Sequence, residues 1–329
     1  MLLAADIGGT KALLGVFQVG GARPRSVVVR EYATLDSAGL DDLVGTFLED
    51  VGPAEIDAIG IGVAGPVEGL VARLTNVPWV ADGTAVARRF GRARVRLVND
   101  LEAMAHSVAV LEPGELAVLQ KGAAAPGGNA ALIAAGTGLG EALLHRVNGQ
   151  LVPSASEGGH ADFAARTPRE LALVDRLLRV HGRVDNERVI SGPGLVNLFR
   201  FTHQAEDVRT ACRVLGSAVD PADLPAAISA AALGARCERC AEALDMFIEA
   251  YGAEAGNLGL RSVATAGVYV GGGIAPKILP ALEGGRFIRA FCDKAPLVDW
   301  LRAIPVSVIL NPAAGLIGAA VCAERLTAR

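Results

Sequence analysis

Apolar and polar positions follow two rhythms along the chain, and the changes between them predict the elements. Leu2–Asp6 is an apolar run closed by an acid, the length of a buried strand. Gly8 and Gly9 follow, and Ala12–Val19 is β-type with no helical period, so the pair reads as a strand–turn–strand hairpin. Asp41–Val51 has helical spacing, Ala58–Val63 and Arg94–Val98 read as strands, and Leu101–Leu111 reads as a helix begun by Asn99 or Asp100. The theme then repeats: a strand at Ala130–Ala134, the turn Gly136-Thr137-Gly138-Leu139-Gly140, and a returning strand at Glu141–Val147. Helices are predicted near Leu171–Val180 and Leu195–Thr202, followed by one long helical run over Ala222–Leu258. A strand at Gly267–Val270 leads into a further glycine turn, and the tail Ala314–Leu326 is apolar at helical spacing. The pattern predicts two similar α/β halves. No linker rich in Pro, Ser or charge divides them, and the expected boundary falls near Val108–Gly114.

Composition sharpens this picture without changing it. A chain of 329 residues is too long for one ordinary core, and 51% hydrophobic residues place it among globular proteins. A formal charge of −4 gives no global attraction to nucleic acid or to an anionic membrane. The local run Arg88, Arg89, Arg92, Arg94, Arg96 reads as a solvated helix face leading into an edge strand, since only Phe90 could stack beside it. The N-terminus shows no basic export signal, and the uncharged stretches Gly122–Gly140 and Ala303–Ala323 are broken by prolines, so no membrane helix is expected. Five cysteines is an odd count that suits free thiols in a reducing, cytoplasmic setting. Cys237-x-x-Cys240 lacks a second cysteine pair and lies in a helical stretch, so it reads as a structural coincidence and not as a metal site.

The candidate chemistry lies in the turns. Asp6-Ile7-Gly8-Gly9-Thr10-Lys11 sets an acid, two glycines and a hydroxyl on one tight hairpin. Bare glycine backbone lets N–H groups approach an anion, Thr10 adds a donor, and Asp6 suits Mg²⁺ held through water. Alone it also reads as a plain turn. Gly136-Thr137-Gly138 offers the same chemistry, at an entropic cost of order 1 kcal/mol per glycine, and the two together are more telling than either. Gly60-x-Gly62-x-x-Gly65 matches the dinucleotide fingerprint, but Pro66 follows where a helix should open, and no P-loop is present. Gly271-Gly272-Gly273 can lie under a flat ring or simply start a helix. Asn99-Asp100 reads as a helix cap, and also as a carboxylate at the C-terminal end of a strand, where α/β ligands bind. Glu157-Gly158-Gly159-His160 puts a carboxylate and an imidazole around a predicted turn.

Taken in order, these motifs resemble the bacterial glucokinases, of the actin/hexokinase-like superfamily. Further matches are Thr75-Asn76-x-x-Trp79, the segment Glu187–Leu198 (ERVISGPGLVNL), and Asn311-Pro312-x-x-Gly315-Leu316-Ile317-Gly318, so the resemblance spans nearly the whole chain. It implies an α/β, two-lobed actin/hexokinase-like (ribonuclease H-like) fold with ATP and sugar in the interlobe cleft. The small lobe would be 1–109 plus 312–329, with the C-terminal helix returning to it, and the large lobe 110–311. The implied reaction is ATP-dependent phosphorylation of glucose at its 6-hydroxyl, a step of glycolysis. By motif position Asp100 is the general base, and Asn76, Asn99, Asp100, Glu157, His160 and Glu187 bind or border the sugar. Asp6, Gly8, Gly9, Thr10, Lys11, Gly136, Thr137, Gly138, Gly271, Gly272 and Gly273 would receive ATP, with Mg²⁺ at Asp6 through water and a homodimer expected. Asp100 is expected beside Glu157, His160 and Glu187.

Two departures stand out. Lys11 replaces the asparagine common in this branch, and Glu141 follows the second hairpin where a small apolar residue is usual. The related repressor/open-reading-frame/kinase family carries a zinc-binding cysteine motif after its Glu-x-Gly-His and, in its repressors, a DNA-binding helix-turn-helix. Ala161-Asp162-Phe163-Ala164 stands in place of the first, and only five residues precede Asp6, so neither feature is expected here. The alternatives are a kinase for mannose, fructose or an amino sugar, and a catalytically silent sugar-binding regulator. A polyphosphate or ADP donor is a further alternative to ATP.

Overall fold

The computed structural model describes all residues except 53, 75–76, 92–93, 206, 208–210, 216–219 and 328–329. The described chain divides into two compact units, Met1–Glu115 with Leu151–Ala155 and Asn311–Arg329, and Leu116–Gln150 with Ser156–Leu310.

In the first unit, strands β1 (Leu2–Ile7), β2 (Lys11–Gln18), β3 (Arg25–Ala33), β4 (Ala58–Val63) and, after three short strands β5 (Val67–Glu68), β6 (Val71–Arg73) and β7 (Val80–Asp82), β8 (Arg94–Asn99) are present. The main sheet runs β3-β2-β1-β4-β8, and β5–β7 form a small sheet of their own. β1 is antiparallel to β2 and parallel to β4, which is in turn parallel to β8. A central strand covered on both faces should be apolar throughout, and β1 is buried at every position except Asp6. Its alternate side chains divide between two layers. Leu3, Ala5 and Ile7 join the core with Leu43, Val44 and Phe47 of helix α1 (Leu40–Val51). Leu2 and Ala4 meet Leu316, Ala319, Ala320 and Ala323 of the C-terminal helix Ala314–Thr327.

Small residues set how closely the helices approach. A Cβ on Gly62 of β4 would stand 2.8 Å from that of Ala103 in helix α3 (Asp100–Ser107), and side chains on Gly60 or Gly318 would strike backbone of the C-terminal helix or α3. The fingerprint-like glycines at 60 and 62 are therefore packing positions. Helix α2 (Gly83–Phe90) is capped by Asp82, which accepts from Thr84 N at 2.8 Å and Ala85 N at 3.2 Å. In the arginine run, Arg88 faces Asp82, Arg89 faces Asp41 and Arg96 faces Glu102, while Arg94 donates to the Leu326 carbonyl. The four described arginines of the run are thus paired on the surface. Arg92 lies outside the described residues.

The second unit contains β9 (Leu116–Gln120), β10 (Ala130–Ala135), β11 (Leu139–Val147), β13 (Gly267–Gly271) and β14 (Val306–Ile309), in the sheet order β11-β10-β13-β14-β9. The middle of β12 (Gln150–Ser156) groups with the first unit. The helices are α4 (Pro168–His181), α5 (Gly192–His203), α6 (Leu224–Leu233), α7 (Glu238–Ser262), the short α8 (Leu279–Glu283), α9 (Arg286–Cys292) and α10 (Val298–Arg302), and the C-terminal helix is α11. The helical run expected over Ala222–Leu258 is thus two helices. Gly234 and Ala235, the latter at φ 51°, break it, and Cys237 re-enters in extended geometry to start α7. The helix expected to reach Leu111 ends at Ser107 and continues as a 3₁₀ turn. α7 is the spine of this unit's core, with Phe247 and Tyr251 buried against Phe287 and Phe291 of α9. Among the described residues, no helix is long and apolar enough to cross a membrane.

Candidate active site

Each unit presents one glycine hairpin and one set of polar groups. In the first, the β1–β2 turn closes with Gly8 N donating to Lys11 O at 2.9 Å. Buried Thr34 holds it from behind. Its hydroxyl donates to Gly8 O at 2.9 Å, and its amide donates to Thr10 O at 3.0 Å. Lys11 begins β2 and points its ammonium to Glu31, at 2.7 Å on the exposed surface. Asp6, next to last in β1, packs its carboxylate against Gly315 in the first turn of α11, where any Cβ would collide with Asp6 Oδ2. Burial, reinforced by the charge of nearby Asp100, pushes Asp6 up to about 7.

Asp100 stands at the first position of α3, directly after β8. Asn99 caps that helix, accepting from Leu101 N at 2.9 Å and Glu102 N at 3.4 Å, while its amide donates to Gly65 O at 3.0 Å. Asp100 Oδ1 accepts from Leu101 N at 2.8 Å. The cap and the chemistry suggested for Asn99-Asp100 are therefore compatible: the capping geometry fixes Asp100 at the C-terminal ends of three parallel strands. Asn76, implied as a sugar ligand, lies outside the described residues.

In the second unit, the β10–β11 turn closes with Gly136 N donating to Gly138 O at 2.8 Å. Its tip is tied to the start of α5, where Gly192 N donates to Gly136 O at 2.8 Å. Glu187 accepts from Leu139 N at 2.9 Å, so its carboxylate grips the base of the same turn. Glu157, Gly158–His160 and Glu187 then converge. Glu187 N donates to Gly159 O at 3.0 Å, and Gly159 sits so tightly on the Leu139 carbonyl that only glycine fits. Glu157 and His160 are exposed, with His160 Nδ1 3.5 Å from Asp185. Gly271–Gly273 joins this cluster because Gly272, at φ 83°, packs against the Ala135 carbonyl just before the turn. At Gly136 and Gly273 an added Cβ would meet nothing within 4 Å, so bare backbone faces open space there.

Several supporting residues carry no sequence signal. Tyr251 of α7, fully buried, accepts from Ala135 N at 3.1 Å and lies 3.3 Å from the carbonyls of Ile133 and Gly271, tying together the strands that bear both glycine turns. Thr34 does the same for the first hairpin. Glu141 points inward from β11, 1% exposed, against Gly158, Glu254 and Arg261. Burial and the Glu254 carboxylate push its pKa up, outweighing Arg261. A surface groove of about 530 Å³ lined by Arg166, Arg286, Arg289 and Arg302 contains none of these residues.

Each unit carries a glycine turn on an antiparallel hairpin whose first strand also pairs with a parallel neighbour, and the fold is that of the actin-like ATPase sugar kinases. A family model for glucokinase matches residues 3–326. The chain is 39% identical to a glucokinase of Nostoc sp. strain PCC 7120, covering 99% of each chain, and 38% identical to one from Synechocystis sp., covering 98% of each. In structure it is similar to a glucokinase from an Antarctic psychrotroph (28% identity, TM-score 0.85, 98% of each chain). It also shares the fold of a ROK family glucokinase from Streptomyces griseus in complex with glucose and AMPPNP (22% identity, TM-score 0.66, 98% of this chain and 99% of that one). The chain belongs to the glucokinase family.

Proposed function

We propose that the protein transfers the γ-phosphoryl group of ATP to the 6-hydroxyl of glucose with Asp100 as general base. The observation that carries this reading is the placement of Asp100 at the head of α3, held by the Asn99 cap and close enough to Asp6 to raise its pKa. Phosphoryl transfer needs alignment and charge neutralisation more than covalent help. A carboxylate with an ordinary pKa of about 3.9 is a weak base for a free alcohol, but in a loose transition state the proton leaves late. Asp100 therefore acts mainly by orienting the attacking oxygen and accepts its proton as the bond to phosphorus forms.

The two hairpins receive the phosphates through backbone N–H groups, Thr10 and Thr137, and Gly271–Gly273 borders the adenosine. Glu157, His160, Asn99, Asn76 and Glu187 read the sugar hydroxyls. Glu187 has one oxygen committed to Leu139, so it couples the sugar-reading group to the phosphate turn. The donor set at Asp6 fits Mg²⁺: a buried carboxylate oxygen, its negative charge disfavoured first by burial and then by nearby Asp100, is one that a cation would stabilise. When bound, Mg²⁺ would supply charge neutralisation to the phosphates, with Asp6 holding it through water.

The test is coupled turnover across ATP, ADP and polyphosphate donors and a panel of glucose, mannose, fructose and glucosamine. Glucose with ATP should give a kcat/KM at least about tenfold above every other pair. A different preferred hexose would reassign the substrate, and background turnover with all pairs would make the protein a sugar-binding regulator.

A further inference from the structure

We propose that His203, Cys212, Cys237 and Cys240 form a tetrahedral site for a single zinc ion in the second unit. From the sequence, Cys237-x-x-Cys240 lacks partners and reads as coincidence. The fold supplies them: the imidazole at the end of α5 and the thiol of Cys212 meet the two cysteines at the start of α7, with all four ligand atoms within 4.8 Å of one another. His203 Nε2 and Cys237 Sγ are 3.5 Å apart, already the separation expected across a tetrahedral ion with Zn–S of about 2.3 Å and Zn–N of about 2.0–2.1 Å.

The surroundings are those of a ligating histidine and not of a packed one. Nδ1 lies 3.0 Å from the Phe199 carbonyl, which fixes the N–H there and leaves the Nε2 lone pair facing the thiols. The ring is stacked on Phe199 at 3.8 Å between centroids, so its orientation is locked. His203, Cys212 and Cys240 are 6%, 4% and 0% exposed and Cys237 is half-buried, so three of the four ligands are shielded from solvent. Three thiolates and a neutral imidazole leave one net negative charge around a divalent ion. Arg239, donating to the His203 carbonyl at 3.2 Å, and the N-terminus of α7 offset it.

Thiolate and imidazole in a tetrahedral set select zinc over magnesium or calcium, and four protein ligands leave no open position, so the ion is structural. None of the four belongs to the Glu157–His160 turn. The ion would clamp the far end of α5, whose near end ties down Gly136 of the phosphate turn.

The experiment is metal analysis of the full chain, untagged, purified without chelator under reducing conditions and incubated with zinc. About one zinc per chain is expected, with X-ray absorption showing three sulfurs and one nitrogen in the first shell. Cobalt substitution should give a thiolate charge-transfer band and the intense d–d bands of tetrahedral geometry. Cys240→Ser and His203→Asn should cut zinc content at least about tenfold, while Cys292→Ser, in the same unit, leaves it unchanged. Zinc below about a tenth per chain, with no cobalt–thiolate band in the wild-type protein, overturns the proposal whether or not the variants fold. So does full zinc content in both Cys240→Ser and His203→Asn, which would place the ion elsewhere.

Discussion

Glu187 Oε2 accepts a hydrogen bond from the Leu139 amide at 2.9 Å, so a residue assigned to the sugar by its motif also holds the turn assigned to the phosphates. A hydrogen bond to a charged group contributes about 1.5–3 kcal/mol, equivalent to roughly 10- to 100-fold in binding. Glu187→Ala should therefore raise the KM for ATP as well as for glucose. Glu187→Gln retains an acceptor for Leu139 and should raise mainly the sugar KM, leaving that for ATP within about threefold. A Glu187→Ala enzyme with an unaltered KM for ATP would separate the turn from this carboxylate.

Asp100→Asn keeps the shape of the α3 start and an oxygen for the Leu101 amide, while removing the proton acceptor. Turnover should fall about 10²–10⁴-fold, the usual worth of general-base help, with glucose affinity by equilibrium titration changed less than about threefold. Loss of glucose binding in step with turnover would make Asp100 a binding group only.

Asp6 gives a pH dependence with a definite sign. Its pKa is raised from the ordinary 3.8 to about 7, so between those values the folded chain holds the proton more tightly than the unfolded one. The stability this confers is complete below the lower value and is lost as pH rises through about 7. Without Mg²⁺, Asp6→Asn should flatten this dependence and be more stable than wild type at pH 8 by about 1–3 kcal/mol, while turnover with Mg²⁺ and ATP collapses. Denaturant midpoints at pH 5 and pH 8 decide it. Equal midpoints for the two proteins at pH 8 would show that ionised Asp6 carries no net cost from its burial and from Asp100.

The sequence showed the parts of this molecule governed by local pattern. Both hairpins were readable because Gly8-Gly9 and Gly136-Thr137-Gly138 sit between strands of matching period, and the cap at Asn99 was readable because capping chemistry is local. β3, β5–β7, β9, β12 and β14 were not named, being short or half-exposed strands with weak alternation, such as β3 with mostly exposed side chains. The break at Ala235 was hidden because alanine rarely adopts positive φ and nothing beside it but Gly234 signals one. The supporting groups were out of reach for another reason. Thr34 and Tyr251 act through backbone atoms far away in sequence, so only the folded chain reveals them.

Gly315 ties the last helix to the first carboxylate. Its Cα lies so near Asp6 that any side chain must push either the carboxylate or the start of α11 away. Gly315→Ala should therefore act on chemistry and on packing together, since α11 also covers Leu2 and Ala4 of β1. Overpacking of this kind typically costs about 1–3 kcal/mol, and the displaced Asp6 should lower turnover at least about tenfold. Gly318→Ala is the packing control, because its Cβ would strike the backbone carbonyl of Ala103 in α3 and not the carboxylate. Backbone gives way less readily than a side-chain carboxylate, so it should destabilise α11 more than Gly315→Ala does, without moving Asp6. Gly318→Ala should thus show the larger loss in thermal midpoint and Gly315→Ala the larger loss in kcat. Equal kcat losses in both would mean that Gly315 serves the helix packing and that Asp6 tolerates the shift.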